Sequence, residues 1–254
     1  MEINMDKLLA NSFEEVYKIV LEIKQEHFKN TEMWFRGQGL NTYLLKPSLF
    51  RTKNGVKKER ELFYEYVRLA TGIGLTRNND WENLIDMQHY GVPTRLLDWT
   101  SNLGIALYFA TTSSINDFPM SLYIMDPLGL NELSMKNEIP ILTNKTVELS
   151  YIDNYINRKP FPARYPIAVK CDNINSRVKA QSGMFTIHGD EDNDEEIDII
   201  TSLLDKKSYI YKIEISYKAH SSIKEYLDIT GINDYTIFPD IQGIARHLSG
   251  ILYS

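Results

Sequence analysis

The chain has 254 residues, of which 43% are hydrophobic, so it can bury one substantial core. Its formal net charge of −6 at pH 7 argues against a broad basic face for nonspecific binding to nucleic acid, which needs clustered Lys and Arg. No run of about 18 apolar residues occurs, and the first residues lack the basic region and the apolar block of a signal peptide. We therefore expect a cytoplasmic protein without a membrane partner.

An N-terminal helix is predicted within residues 1–30, packed on a domain that spans residues 31–254. Ser12-Phe-Glu-Glu15 has the sequence of a capping box, and apolar residues follow it at helical spacing. The aromatic run at residues 33–38 then predicts a strand that ends at a glycine. A second helix is expected over residues 57–70, with a buried stripe formed by Leu62, Phe63, Tyr66, Val67 and Leu69.

The richest polar stretch lies between two predicted helices, at residues 81–89 and 101–112. Pro93 fixes its own φ and disfavours the α region for the residue before it, so the first helix cannot continue into the second. Thr100 or Ser101 is predicted to cap the second helix, because a hydroxyl is a preferred N-cap. The turn between the helices is expected to present a binding surface made of Gln88, His89, Thr94, Arg95, Asp98, Thr100 and Ser101.

The second half of the chain is predicted to complete a sheet. Residues 129–166 contain four prolines and only a weak pattern, so we expect an irregular insertion there with one short helix near residues 147–155. Further strands are predicted at residues 120–125, 165–170, 183–188, 208–216 and 235–238. Further helices are predicted at residues 218–227 and 239–252.

Metal and thiol chemistry find little support in the sequence. Cys171 is the only cysteine, so it can form neither an internal disulfide nor a zinc site of several thiolates, and we expect a buried or half-buried thiol. The acidic run at residues 189–198 is typical of a solvated loop, because it lacks the spaced Gly and the terminal Glu of an EF-hand. We expect no metal.

Four pieces of the chain resemble the FRG domain family, which is named for a Phe-Arg-Gly motif. The resemblance extends over nearly the whole chain from about residue 30, and the second piece is long and chemically unusual. The family brings little established function with it. The four pieces are Trp34–Gln38, Met87–Ser101 with Ala106–Ala110, Arg177–Phe185, and Tyr235–Ala245.

The chain also resembles, more distantly, ADP-ribosyltransferases of the arginine, Ser-Thr-Ser, glutamate type. Phe35-Arg36-Gly37 resembles their first element, and Trp99-Thr100-Ser101 with the helix after it resembles their second. The resemblance implies that Arg36 and Gly37 hold the phosphates or ribose of NAD. It also implies that Thr100 and Ser101 shape the pocket for nicotinamide.

The third element of that resemblance departs from the pattern. Tyr235 stands where such enzymes have a catalytic Glu on a late strand, with Asp234 beside it and Asp240 after the strand. A tyrosine cannot supply the negative charge that favours an oxocarbenium-like ribose. If the chain is catalytic, we therefore expect Asp240 or Asp98 to provide the carboxylate.

Several other residues have both a functional and a structural interpretation. His89 is a candidate general base because the unperturbed pKa of histidine is about 6.5, but it could equally cap a helix end. Arg95 and Gln88 are counted with the ligand-binding residues, although Arg95 could simply pair with Asp98. Gln181 and Phe185 could offer an amide and an aromatic face to a base or a nicotinamide ring, or they could form an ordinary strand entry.

Together these observations predict one α+β domain with a small, split mixed or antiparallel sheet and flanking helices, similar to the ADP-ribosyltransferase architecture. The leading hypothesis is a nucleotide-binding enzyme that cleaves NAD or transfers its ADP-ribose to a protein or nucleic-acid acceptor. Proteins of this kind in microbes can act as toxins or defence effectors. Two alternatives stay open: a phosphodiesterase or nuclease that uses His89, Arg95 and Asp98, and a noncatalytic module that binds a nucleotide or a protein.

Overall fold

The structure is a computed structural model that describes residues 8–29, 31–75, 77, 79–134, 139, 142, 149–159, 166–171, 176–189 and 209–252. In these residues seven strands form one mixed sheet. They are β1 (Leu9–Ala10), β2 (Trp34–Gln38), β3 (Leu96–Thr100), β4 (Met120–Met125), β5 (Ile167–Val169), β6 (Gly183–Ile187) and β7 (Ile210–Ile215). The predicted strands at residues 33–38, 120–125, 165–170, 183–188 and 208–216 are thereby confirmed within a few residues at their ends.

Helices flank this sheet. The α-helices are α1 (Phe13–His27), α2 (Gly55–Gly72), α3 (Asp80–His89), α4 (Leu103–Thr112), α5 (Pro127–Ser134), α6 (Ser176–Ala180), α7 (His220–Thr230), α8 (Asp234–Ile237) and α9 (Ile241–Ile251). Short 3-10 helices lie at Ser48–Arg51 and Tyr217–Ala219, and a π-helix lies at Tyr151–Ile156. The predicted insertion at residues 129–166 therefore contains most of α5 and the π-helix, whereas residues 190–198 of the predicted acidic loop lie outside the described residues.

The strand order is β1-β7-β4-β2-β3-β6-β5, in which β1 is parallel to β7 and the other neighbours are antiparallel. Most neighbours pair along much of their length, and β2 pairs with β4 from Trp34 to Gln38. In contrast, β2 and β3 share a single register pair, Phe35 opposite Thr100. All seven strands therefore belong to one sheet. Beyond the single pair of Phe35 and Thr100, however, β2 and β3 are no longer paired. We call this region the β2–β3 opening.

The alternation of side chains along the strands assigns residues to the two faces of the sheet. Phe35 belongs to the apolar cluster formed with α1, α4 and α7, whereas Trp34 belongs to a cluster on the other face that includes α5. Leu97 and Trp99 of β3 belong to the same cluster as Trp34. The side chain of Arg36 therefore leaves the sheet on the same face as that of Trp34. The side chain of Asp98 leaves the sheet on the same face as that of Phe35.

Two predictions about the central stretch are wrong. Residues 96–100 form β3 rather than a turn, because they pair with β6 from Leu96 opposite Ile187 to Thr100 opposite Gly183. Asn102 caps α4 instead of Thr100 or Ser101, since its side chain accepts hydrogen bonds from the backbone N–H groups of Gly104 and Ile105. The Thr100 hydroxyl serves instead to donate to the Gln181 carbonyl.

The strand predicted at residues 235–238 is also wrong. Residues 235–237 belong to α8, which begins after Asn233, and Phe238 is the C-cap of that helix. The Asn233 side chain accepts from the N–H groups of Tyr235 and Thr236, and the Thr236 hydroxyl accepts from the N–H of Asn233, which completes a capping box. This reciprocal pair overrides the β preference of the sequence Tyr-Thr-Ile-Phe. In α2, Leu69 is exposed rather than part of the predicted buried stripe.

Arg95 lies at the start of β3 and is completely buried. Its guanidinium forms a bidentate ion pair with the buried carboxylate of Glu59 on α2, and it also donates to the His188 carbonyl. The rings of Phe50 and Tyr155 lie against it, with Cζ of Arg95 5.6 and 4.8 Å from their centroids. The structural alternative for Arg95, a pair with Asp98, is therefore wrong, and Arg95 instead connects α2 to the sheet through Glu59.

Replacing Glu59 by Gln should strongly destabilise the fold. The substitution leaves the Arg95 charge buried without its carboxylate, a loss that typically costs about 3–5 kcal/mol. Urea unfolding followed by circular dichroism measures the change in the free energy of unfolding. Glu61→Gln is the matched control, because Glu61 pairs with Lys58 at the exposed surface of the same helix and should change little. Equal effects of the two variants would contradict a structural role for the buried pair.

Gly37 lets α4 approach the sheet closely. A Cβ on Gly37 would lie 1.8 Å from the backbone oxygen of Ala106, which a helix backbone cannot avoid by a small movement. The glycine of the Phe-Arg-Gly motif is thus required by packing between β2 and α4, whatever it does for a ligand.

Gly37→Ala should therefore destabilise the chain by about 1–3 kcal/mol or more, as overpacking of a core does. Gly72→Ala is the control, because Gly72 is the last residue of α2 and has open space around its Cβ position. Alanine there should leave the free energy of unfolding unchanged or slightly higher. Thermal and urea unfolding of both variants test this difference, and a stable Gly37→Ala protein would contradict the close approach.

Candidate functional site

A cavity of about 910 Å³ lies at the β2–β3 opening. It is lined by Arg36, Gly37 and Gln38 of β2 and by Asp98, Trp99 and Thr100 of β3. Its volume falls in the range of about 300–1,000 Å³ that is typical of small-molecule sites. The opening in the sheet thus provides a site large enough for a nucleotide.

Arg36 and Asp98 meet across this opening although their side chains start from opposite faces of the sheet. Nη1 of Arg36 donates to the Asp98 backbone oxygen at 2.6 Å and lies 4.0 Å from Oδ2 of the same residue. Burial lowers the pKa of the Arg36 guanidinium, and the Asp98 carboxylate opposes part of this effect. The group is still a cation at neutral pH.

The cavity is strongly cationic in a chain of negative net charge. Asp98 is the only carboxylate among the described residues that line it. Five basic residues also line it, namely Arg36, Lys46, Arg51, Arg177 and Arg246. Such an excess of positive charge in a concave site attracts anionic ligands.

Several polar atoms in the cavity wall are buried without a hydrogen-bond partner. Of six such side-chain atoms in the described part of the chain, four belong to residues that line this cavity. They are Nε of Arg36, Oε1 of Gln38, Nδ1 of His89 and Nε of Arg177. An unsatisfied buried polar group costs about 1–3 kcal/mol, so this concentration favours a wall that is completed by a polar ligand.

Arg177 and Arg246 contact the same aromatic ring. The guanidinium carbons of Arg177 and Arg246 lie 4.3 and 4.7 Å from the ring centroid of Phe238. We call these three residues the Phe238 cluster. Arg177 also donates from Nη1 to the His89 carbonyl at 2.9 Å. Within the described ranges, neither guanidinium forms an ion pair with a carboxylate.

Gln88 and His89 end α3 at the cavity. Gln88 donates from Nε2 to Oδ2 of Asp98 at 2.8 Å and accepts from the Thr94 hydroxyl at 2.6 Å, so it fixes the orientation of that carboxylate. Burial lowers the pKa of His89, and the positive charge of Arg177 acts in the same direction. His89 is therefore a neutral imidazole at pH 7 with one ring nitrogen facing no partner.

Thr100, Gln181 and Phe185 complete the wall on the side of β6. Thr100 donates to the Gln181 carbonyl at 2.7 Å, and Gln181 donates from Nε2 to the Ile237 carbonyl at 3.3 Å. Phe185 lies opposite Asp98 in the sheet and is buried. Eight of the sequence-predicted residues thus line the cavity. They are Arg36, Gly37, Gln88, His89, Asp98, Thr100, Gln181 and Phe185.

Five predicted site residues lie outside the cavity wall. Thr94 is buried and donates from its hydroxyl to Gln88. Arg95 is buried against Glu59, and Ser101 is exposed beyond the end of β3. Tyr235 is 53% exposed on α8. Asp240 caps α9, where hydrogen bonds from the N–H groups of Gly243 and Gln242 and the charge of Arg177 lower its pKa. Of the two carboxylates proposed from the sequence, only Asp98 lines the cavity.

Five charged or amide side chains of the wall had no role assigned from the sequence. Gln38 and Arg177 lie within quoted motif pieces, but they were not assigned a role. Lys46 and Arg51 follow β2 in a segment without a recognisable pattern, and Arg246 lies just after the last motif piece. A count of basic residues beside the motif pieces could have suggested Arg246, whereas nothing local distinguishes Lys46 or Arg51 from surface cations.

Comparison with known proteins identifies one part of the chain. Residues 31–117 match the FRG domain. The match supports the FRG resemblance, and it includes β2, β3 and α4, so the FRG segment supplies both sides of the β2–β3 opening. Arg177, Phe238 and Arg246 lie beyond the matched residues. No curated protein and no solved structure matches the chain.

The described residues contain neither a candidate membrane span nor a candidate metal site. No helix there is long and apolar enough to cross a membrane. No group of three or more His, Cys, Asp or Glu side chains in the described ranges is arranged to hold a metal ion.

The lowered pKa of His89 predicts a pH-dependent stability. Between its folded-state pKa and the value of about 6.5 in the unfolded chain, the unfolded state binds more protons, so the free energy of unfolding falls as the pH drops. His89→Gln should remove this part of the loss between about pH 7.5 and 5.5. Urea midpoints across that range measure it, with exposed His247→Gln as the control. An unchanged pH slope in His89→Gln would refute the assignment.

Proposed function

We propose that the cavity binds a nucleotide and that the chain cleaves NAD or transfers its ADP-ribose. The observation that carries the proposal is the buried and unpartnered Nε of Arg36, placed beside Asp98 in a cavity with five basic residues. A guanidinium with an unused donor matches the oxygens of a phosphate or pyrophosphate. The ligand would thereby satisfy the wall that the protein leaves incomplete.

The pyrophosphate would lie between Arg36 and Arg51. Arg51 is exposed at the end of a 3-10 helix and donates from Nε to the Lys46 carbonyl. Its terminal nitrogens, Nη1 and Nη2, take no part in this hydrogen bond. Arg36 and Arg51 both line the cavity, and the charge of Arg51 contributes to the lowered pKa of Arg36. Trp99 and Phe185 would offer apolar surfaces to the bases.

Asp98 would hold the ribose next to the bond that breaks. Its side chain is 54% exposed towards the cavity and is oriented by Gln88, so one carboxylate oxygen can accept a hydrogen bond from a ribose hydroxyl. As the bond between C1 of the ribose and the nicotinamide nitrogen breaks, its electron pair leaves with nicotinamide. The negative charge of Asp98 would stabilise the oxocarbenium-like ribose.

The resemblance to ADP-ribosyltransferases supports this assignment at two of three elements. Phe35-Arg36-Gly37 and Thr100-Ser101 come from distant parts of the sequence, and the pairing of Phe35 with Thr100 brings them side by side. The third element differs, because Tyr235 lies on an exposed helix. An intracellular toxin or defence effector would be a suitable role for an enzyme that consumes NAD.

The exposed position of Tyr235 also favours a second candidate function, a module that binds a nucleotide without turnover. The phosphodiesterase or nuclease hypothesis has less support. It needs His89, Arg95 and Asp98 to act together, and the guanidinium of Arg95 is engaged by Glu59 and lies outside the cavity.

Incubation of the purified protein with NAD tests the proposal. Calorimetry measures binding, and chromatography measures released nicotinamide and ADP-ribose. Arg36→Gln should weaken NAD binding about tenfold or more, as the loss of a charged hydrogen bond does. Asp98→Asn should retain most of the binding and lower turnover about 100-fold. Arg68→Gln, which removes an exposed cation paired with Glu65, is the control.

The outcomes separate the candidate functions. Nicotinamide release that depends on Asp98 supports NAD cleavage. Binding that depends on Arg36 without any release, even when cell lysate is added as acceptor, supports the noncatalytic module. Absence of NAD binding overturns the proposal.

A further inference from the structure

The Phe238 cluster lies apart from the residues assigned to the NAD pyrophosphate. Arg36 starts from the Trp34 face of the sheet, whereas Phe238 packs with α4 on the Phe35 face. Asp98 contacts the Arg36 guanidinium, and its charge acts on both Arg36 and Arg177. One phosphate shared by Arg36 and Arg177 would therefore be repelled by Asp98. The cavity is better suited to two anionic groups, one at Arg36 and one at the Phe238 cluster.

The same cavity is poorly equipped to deprotonate a neutral acceptor. Asp98 is needed at the ribose and is engaged by Gln88. His89 is the remaining base in the described wall, and burial and Arg177 weaken it by lowering its pKa. Tyr235 and Asp240 lie outside the wall. An acceptor that is already an anion at neutral pH requires no base.

We propose that the Phe238 cluster binds the acceptor of the reaction and that this acceptor is a phosphate monoester. The inference rests on the proposed NAD chemistry and names its second substrate. The unpartnered Nε of Arg177 and the guanidinium of the exposed Arg246, which forms no hydrogen bond or ion pair with another described residue, would hold the phosphate oxygens. Phosphate monoesters have a second pKa near 6, so they are mainly dianions at pH 7.5.

The transfer step requires no proton to be removed from the acceptor. A phosphate oxygen forms a bond to C1 of the nicotinamide ribose, and the bond from C1 to the nicotinamide nitrogen breaks. The electron pair of the broken bond neutralises the positive charge of that nitrogen, and nicotinamide leaves. The product is ADP-ribose joined through C1 to the phosphate, and it competes with ADP-ribose formed by water.

The test measures how the ADP-ribose of NAD is divided between the two products. Glycerol 3-phosphate is the acceptor, glycerol is its neutral counterpart, and mass spectrometry separates the phosphate-linked product from free ADP-ribose. The ratio of the two products is insensitive to a general loss of activity. It should rise with glycerol 3-phosphate concentration, and glycerol at the same concentrations should leave it near zero.

Arg246→Gln should lower this ratio about tenfold, and Arg246→Lys should restore part of it because the positive charge is retained. Arg68→Gln should match the wild type. A ratio that does not depend on glycerol 3-phosphate would overturn the inference while leaving NAD cleavage intact. An Arg246→Gln protein with weaker NAD binding and an unchanged ratio would also overturn it, since the cluster would then bind NAD itself. If no nicotinamide is released at all, the proposed function fails first and this inference falls with it.

Discussion

The single register pair between Phe35 and Thr100 is the constraint on which the candidate site depends. Beyond this pair, β2 continues along β4 and β3 continues along β6, so the two strands diverge within an otherwise continuous sheet. The divergence leaves room for a ligand and lets Arg36 reach Asp98 from the opposite face. Gly37 keeps α4 close to one rim of the opening, and the pair of Arg95 with Glu59 holds α2 against β3 near the other.

The electrostatics of the cavity could not be read from the net charge. The four arginines of the wall come from β2, a 3-10 helix, α6 and α9, and they converge only when the chain folds. Several contacts reduce the repulsion between these four positive charges. The Asp98 carboxylate, oriented by Gln88, lies near Arg36. The ring of Phe238 contacts two guanidinium groups, and the His89 carbonyl accepts from one of them. An anionic ligand would complete this compensation.

The elements with strong local sequence patterns were predicted correctly. The predictions failed where the structure of a residue depends on side chains that are distant in the sequence. The strand at Trp34–Gln38 followed from local residues. Arg36 and Arg95 look alike in the sequence, because each lies within one of the motif pieces. Their environments differ in the structure because Glu59, far from Arg95 in sequence, pairs with Arg95 and not with Arg36. Likewise, Tyr235 has strand propensity, but the side chains of Asn233 and Thr236 close a helical turn around it.

The FRG match ends at residue 117 and thereby divides the residues of the cavity into two groups. This division suggests how related chains diverge. Residues 31–117 contain Arg36, Gln88, His89 and Asp98, while the Phe238 cluster lies beyond them. The first group lies on β2, β3 and the end of α3, which surround the opening itself. The second group comes from α6, the residue after α8, and α9, none of which contributes a strand. Substitutions in the second group would alter which anion the cavity accepts and leave the paired strands of the opening intact, so one framework of this kind would serve several ligands.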